Sequence, residues 1–222
     1  MYYNCIMNFL KKFLNTLFPI HCVNCNQKHE SYLCDRCLEK IPFERKDKKS
    51  DIFFAFSYRN PIVKKAIWNL KFHNKKDIAH TLSQKAFDVL LDEMQDLQLF
   101  NNLEKPVLVP VPLHTKRLKE RGFNQSELIA FGLYSQNPTL FDIDTKHTIR
   151  NRYTKPQVKI QNKNERIVNV SKCFSITDKN FFKNKNIIII GDVTTTGATI
   201  LELRKLLMSH GAKCVYGFTL AQ

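Results

Sequence analysis

Residues 187–190 are four consecutive isoleucines, and no other stretch restricts the fold of this chain as strongly. β-branched side chains favour extended backbone. A run without polar alternation has no face to offer water, so it fits a strand buried on both sides. Such strands sit at the centre of parallel sheets covered by helices. The run continues as Gly191, Asp192, Val193 and then Thr194-Thr195-Thr196-Gly197-Ala198-Thr199, and the next apolar residues, Leu201, Leu203, Leu206 and Leu207, suit a helix over 199–210. The order is therefore strand, tight polar turn, helix. In open parallel sheets ligands bind beyond the carboxyl ends of the strands. Backbone N–H groups at a helix start favour an anion there. The threonine hydroxyls add donors, and Gly197 permits a sharp turn. Thr195, Thr196, Gly197, Ala198 and Thr199 are the expected phosphate-binding residues. No Gly-Lys-[Ser/Thr] follows, so this is not a P-loop. Threonine and glycine also suit a plain helix cap.

The flanking sequence repeats the alternation. Strands are expected at 53–58, 106–113 and 214–221. Helices are expected from Pro61 onward, with Ile62, Ala66, Ile67 and Leu70 in phase, at about 77–99, and at 124–135. Residues 147–170 are polar and read mostly as loop. Strands alternating with helices imply an α/β fold with a parallel sheet. Val109-Pro110 and Val111-Pro112 end a strand stiffly, and either bond is a candidate for a cis peptide.

A second unit precedes this one. Cys22, Cys25, Cys34 and Cys37 follow the spacing C-x2-C-x8-C-x2-C. Two such turns can present four thiolates to one tetrahedral zinc ion. With every position filled by sulfur the site is closed, hence structural. Disulfides are the weaker alternative in a reducing compartment. A segment this short lacks an apolar core of its own, so the metal supplies the missing stability. His29 is a possible substitute ligand. The division expected is an amphipathic helix over 1–18, a zinc module over 19–43, a charged linker, and an α/β domain over 52–222.

The net charge is +15 over 222 residues. Such a surplus favours a polyanion, nucleic acid first and an anionic membrane surface second. No apolar run reaches the length of a membrane span. Lys11 and Lys12 interrupt the N-terminal apolar stretch, which argues against a signal sequence and for a cytoplasmic address. Arg117, Lys119 and Arg121 lie together after the proline strand, and Arg150, Arg152, Tyr153, Lys155, Lys159, Lys163 and Arg166 form a basic stretch with one aromatic. Basic groups track a phosphate backbone, and an aromatic ring can stack on a base. Asn124 and Gln125 suit either a helix cap or a ligand contact.

Two resemblances sharpen these expectations. IIIIGDVTTTGAT resembles the phosphoribosyl-diphosphate (PRPP) motif of type I phosphoribosyltransferases, in which two acids hold the ribose hydroxyls and a Thr/Gly-rich loop holds the 5-phosphate. Asp192 matches the second acid, and Gly191 stands where the first would be. VPVPLHTKRLKERGFNQSELIA (109–130), WNLKF (68–72) and the region RNRYTKPQ…ERIVNV are similar to the ComF family, which joins a four-cysteine module to a phosphoribosyltransferase-like domain. The resemblance implies a type I phosphoribosyltransferase-like parallel sheet flanked by helices. It implies a competence-type role in DNA uptake, with single-stranded DNA, a DNA-translocating helicase and transformation processing proteins as partners, at the inner face of the inner membrane. It also implies a PRPP site, with magnesium accompanying PRPP. Gly191 argues for little or no turnover. An active phosphoribosyltransferase and a PRPP-sensing regulator are the alternatives. Candidate contacts to DNA or diphosphate are Lys71, Arg117, Lys119, Arg121, Arg152 and Lys155.

Overall fold

The computed structural model describes residues 19–44, 51–101, 104–154 and 170–222, without the side chains of 99–101. The helix expected over 1–18 and most of the basic stretch, Lys155 included, lie outside the described residues.

The isoleucine run forms β6 (Asn186–Val193) at the centre of a five-stranded sheet. The others are β1 (Ile52–Phe56), β2 (Val107–Pro110), β3 (Asp142–Ile143) and β7 (Cys214–Ala221), in the order β1-β7-β6-β2-β3. All pairings within it are parallel. Successive side chains on β6 face opposite ways. Ile188 and Ile190 enter a core with Leu70, Leu82, Ile129 and Phe218, whereas Ile187 and Ile189 enter a second core with Leu203, Leu207, Phe174 and Phe182. The run carries no polar residue because it feeds two cores at once.

The first core is closed by α2 (Pro61–Phe72), α3 (Asp77–Asn101) and α5 (Gln125–Tyr134), the second by α6 (Ala198–Ser209). Helix α2 starts where proline and its neighbour dictate. The Asn60 side chain accepts from the N–H groups of Ile62 and Val63, and Pro61 needs no partner there. The short α1 (Asp35–Glu39) belongs to the cysteine region, whose Leu33, Cys37 and Ile41 join the same core as α2 and α3.

Three features differ from the sequence expectation. Within the stretch read as loop, β4 (Thr148–Arg150) pairs antiparallel with β5 (Phe174–Ile176) as a separate two-stranded sheet. The strand expected over 106–113 ends at Pro110, where proline withholds a ladder donor. The peptide bonds before Pro110 and Pro112 are trans, as are all others among the described residues. Among those residues no helix is long and apolar enough to cross a membrane.

Candidate functional site

The parallel strands end together, and a cleft of about 1020 Å3 opens at their carboxyl ends. The isoleucine strand delivers Gly191 and Asp192 to its floor. The loop that follows supplies Thr194, Thr195, Gly197, Ala198 and Thr199. Gly197, at φ 74°, turns the chain into α6 in a left-handed conformation that side chains resist. The Thr196 hydroxyl accepts from the Ala198 N–H at 3.4 Å, so Thr196 serves the turn and does not line the cleft.

The opposite wall comes from α4 (Thr115–Arg121). Residues four apart share a helix face, so Arg117 and Arg121 both reach the cleft. Lys119, two residues from each, is exposed on the other side. The motif RGFNQ has a job at each position. Arg121 bonds the Gln125 carbonyl oxygen. Gly122 closes α4 at φ 79° and Phe123 is buried. Asn124 caps α5 by accepting from the Ser126 N–H at 3.1 Å, and donates to the Val111 carbonyl at 3.1 Å, which ties the end of β2 to that helix. Gln125 is 3% exposed, lines the cleft, and has an amide nitrogen with no partner.

Strand β4, missed in the sequence, forms a hood over the site. It places Arg150 and, just beyond, Tyr153 in the cleft lining. Thr154 pins two guanidiniums at once. Its carbonyl accepts from Arg117 at 2.8 Å and its hydroxyl from Arg150 at 2.5 Å. Arg152 turns away and donates to the Ser171 carbonyl at 2.6 Å, outside the lining.

Lys71, at the end of α2, forms a 2.8 Å ion pair with Asp192. The cleft thus holds five cations, Lys64, Lys71, Arg117, Arg121 and Arg150, against two carboxylates, Glu120 and Asp192. That imbalance selects an anion. Burial lowers the pKa of Arg121, and Arg117 adds to the effect while Asp192 and Glu120 oppose it. Burial also lowers that of Arg150, with Arg117 and Arg152 adding and Cys173 opposing. Partly desolvated like charges of this kind are relieved by an incoming phosphate.

Gly191 explains itself sterically. A Cβ there would lie 3.0 Å from Cγ2 of Thr219, its registered neighbour on β7, and 3.7 Å from Cδ1 of Ile200. The position has ordinary strand dihedrals, since it is absent from the glycines with positive φ. The missing side chain is therefore a matter of space, not backbone conformation.

Away from the cleft, the four cysteines converge as their spacing predicts. Their sulfurs all lie within 4.8 Å of one another, and those of Cys25 and Cys34 are 3.6 Å apart. A tetrahedral zinc with Zn–S near 2.3 Å needs sulfurs roughly 3.8 Å apart, so the cluster fits a metal such as zinc. Donors already point at the sulfurs. The Asn24 amide meets Cys37 at 3.3 Å and the Cys34 N–H meets Cys22 at 3.5 Å. Burial pushes the Cys22 thiol up, but backbone donors from Cys34, Cys25 and Asn24 outweigh it and bring it down to about 6. Burial, with the neighbouring thiols, pushes Cys34 up to about 12. His29 stands outside the cluster, with Ser31 at 3.0 Å and Asp35 at 3.5 Å.

No family model matches the chain. Curated relatives do. The chain is 30% identical to the DNA utilization protein YhgH of Escherichia coli over 188 residues, 84% of this chain and 76% of that protein. It is 28% identical to competence protein F of Haemophilus influenzae over 92% of this chain and 85% of that one. It is 31% identical to competence protein ComFC of Bacillus subtilis over 72% of this chain and 60% of that one. A solved hypoxanthine-guanine phosphoribosyltransferase of Bacillus anthracis is similar over 64% of this chain and 69% of that chain, at 20% identity and a TM-score of 0.39.

Proposed function

This chain belongs to the ComF family, and from that premise we propose that it is a competence-type DNA-handling factor that binds single-stranded DNA. Its phosphate-selective cleft accepts PRPP or a similar phosphate ligand with little or no transferase turnover. The observation that carries the reading is the cleft itself, with five cations around a Thr/Gly loop at a helix start and with Asp192, the one carboxylate at the end of the isoleucine strand, already paired with Lys71. The 5-phosphate would meet N–H groups of the 195–199 loop and the hydroxyls of Thr195 and Thr199, at the positive end of α6. The diphosphate would meet Arg117, Arg121 and Arg150. Magnesium would enter on the diphosphate, since the cleft offers few carboxylate oxygens of its own.

Ribose recognition is where the site is weak. One carboxylate held by a lysine cannot clasp a diol as two would. Each charge-assisted hydrogen bond is worth about 1.5–3 kcal/mol. Lacking one favours binding without efficient chemistry over an active transferase. Cys22, Cys25, Cys34 and Cys37 would hold one zinc ion, which supplies stability rather than catalysis because no ligand position stays open. The proposed partners are a DNA-translocating helicase and the processing proteins of transformation, met at the inner face of the inner membrane.

The test is binding of a fluorescent single-stranded oligonucleotide over a salt series. The expected log–log slope is about −0.7 per phosphate neutralised. Arg117→Ala with Arg121→Ala should flatten it, and Lys119→Ala, on the far face of α4, should flatten it less. Affinity that does not change with salt would contradict the DNA role.

A further inference from the structure

One surface beside the cleft is not used by any role given so far. Helix α2 buries Ile62, Val63, Ala66, Ile67 and Leu70 against the core. Its other face is left to solvent, and it is not the expected rind of small polar groups. Trp68 is 50% exposed and Phe72 is 62% exposed. Single exposed aromatics are ordinary, but a contiguous pair beside a charged cleft marks a candidate interaction surface. The two rings stand one helical turn apart with centroids 5.9 Å apart, and His73 lies 4.4 Å from Trp68. Phe72 also lines the cleft, and the Arg121 guanidinium lies 5.8 Å from its ring. The aromatic patch is thus continuous with the cationic mouth of the cleft.

Charge says what covers it. From residue 52 to residue 76 the chain has six basic residues, Arg59, Lys64, Lys65, Lys71, Lys75 and Lys76, and no acid. Lys64 and Lys65 are exposed on the helix turn before Trp68. An apolar protein partner would not call for this density of one charge. A lipid surface also takes Trp and Phe beside lysines, but the apolar face of α2 is already spent on the core, and two rings leave little area to insert. Aromatic faces interleaved with cations match a nucleic-acid strand whose bases are unpaired, since every base has a face to stack and every linkage a phosphate.

We propose that the exposed face of α2 is the base-stacking platform for single-stranded DNA, with Trp68 and Phe72 receiving successive bases and Lys64, Lys65 and Arg121 meeting the phosphates. The inference rests on the single-stranded DNA reading and assigns it a place and a mode. Stacking has no preference among bases, so recognition is sequence-tolerant. Duplex DNA, whose base faces are covered, gains only the charge contacts.

Trp68 is the only tryptophan of the chain, which makes its fluorescence a direct probe. An oligothymidylate should quench it on binding. An abasic strand of equal length, with the same phosphates and no bases, loses both stacks, so it should leave the fluorescence unchanged and bind about 100-fold more weakly. Trp68→Ala and Phe72→Ala should each weaken oligothymidylate binding about 10-fold without altering the salt slope, and Trp68→Tyr should retain most of the affinity. The platform is refuted if the full chain binds oligothymidylate and abasic strands equally, without quenching, and both alanine variants bind as the parent does. In that outcome the DNA reading stands and the strand lies elsewhere. Failure of every strand to bind at low salt refutes both. Quenching or a blue shift with anionic vesicles but not with oligothymidylate assigns the face to a membrane and overturns the proposal.

Discussion

Restoring the absent carboxylate tests the ligand assignment, and the structure says how to do it. Gly191→Asp alone places a Cβ 3.0 Å from the Thr219 methyl. Thr219 is fully buried and its hydroxyl donates to the Ala221 carbonyl at 3.2 Å, so it retreats with difficulty. Overpacking of this kind costs about 1–3 kcal/mol. Replacing glycine in a strand returns roughly 0.5–1 kcal/mol of chain entropy. The net expectation for Gly191→Ala is a loss of about 1 kcal/mol. Thr219→Ser removes the offending methyl and keeps the hydroxyl bond, at a cost of about 0.8 kcal/mol for one buried carbon. Urea unfolding of the two single variants and the double should then show a favourable coupling of about 1 kcal/mol. In the Thr219→Ser background, Gly191→Asp adds a carboxylate beside Asp192. PRPP affinity measured by calorimetry with magnesium should rise about 10- to 100-fold, and Asp192→Asn should lower it. A folded Gly191→Asp/Thr219→Ser protein that binds PRPP no better than Thr219→Ser, with Asp192→Asn binding as well as the parent, would refute the ribose assignment and leave the loop a helix cap.

Two further perturbations address the scaffold. Purified protein should carry about one zinc per chain, and Cys34→Ser should lose metal and thermal stability together, because Leu33, Cys37 and Ile41 pack in the core shared with α2 and α3; metal analysis showing no zinc and two disulfides would contradict this. Asn124→Ala should lower stability by about 1–2 kcal/mol in denaturant, since it removes both the cap of α5 and the tether to Val111, and an unchanged midpoint would show that neither bond matters.

What the sequence reveals and what it hides follow from the range of the interactions. The isoleucine strand was legible because two-sided burial writes itself into consecutive residues. The cysteine quartet was legible because turn geometry ties ligand spacing to metal geometry. Strand β4 was not, because three residues, Thr148 to Arg150, find their partners at 174–176 across a long gap and bury little. The strand that brings Arg150 and Tyr153 to the cleft therefore reads as loop in the sequence. Arg117, Lys119 and Arg121 looked equivalent as a run, and only the phase of α4 separates Lys119 from the other two. The ion pair between Lys71 and Asp192 joins residues 121 positions apart, and no local pattern announces it. Sequence marked Asn124 and Gln125 as cap or ligand contact without choosing. The structure makes Asn124 the cap and leaves the Gln125 amide nitrogen buried in the cleft wall without a partner.

The central claim is a cleft that binds PRPP without turning it over. The most direct measurement is a calorimetric titration of the full chain with PRPP and magnesium, followed by assay of the same mixture for released pyrophosphate. The account predicts saturable binding that is lost in Arg117→Ala with Arg121→Ala, and pyrophosphate release no faster than in the absence of protein. Absence of any binding, or release of pyrophosphate over many turnovers with an added base or amine, would contradict it.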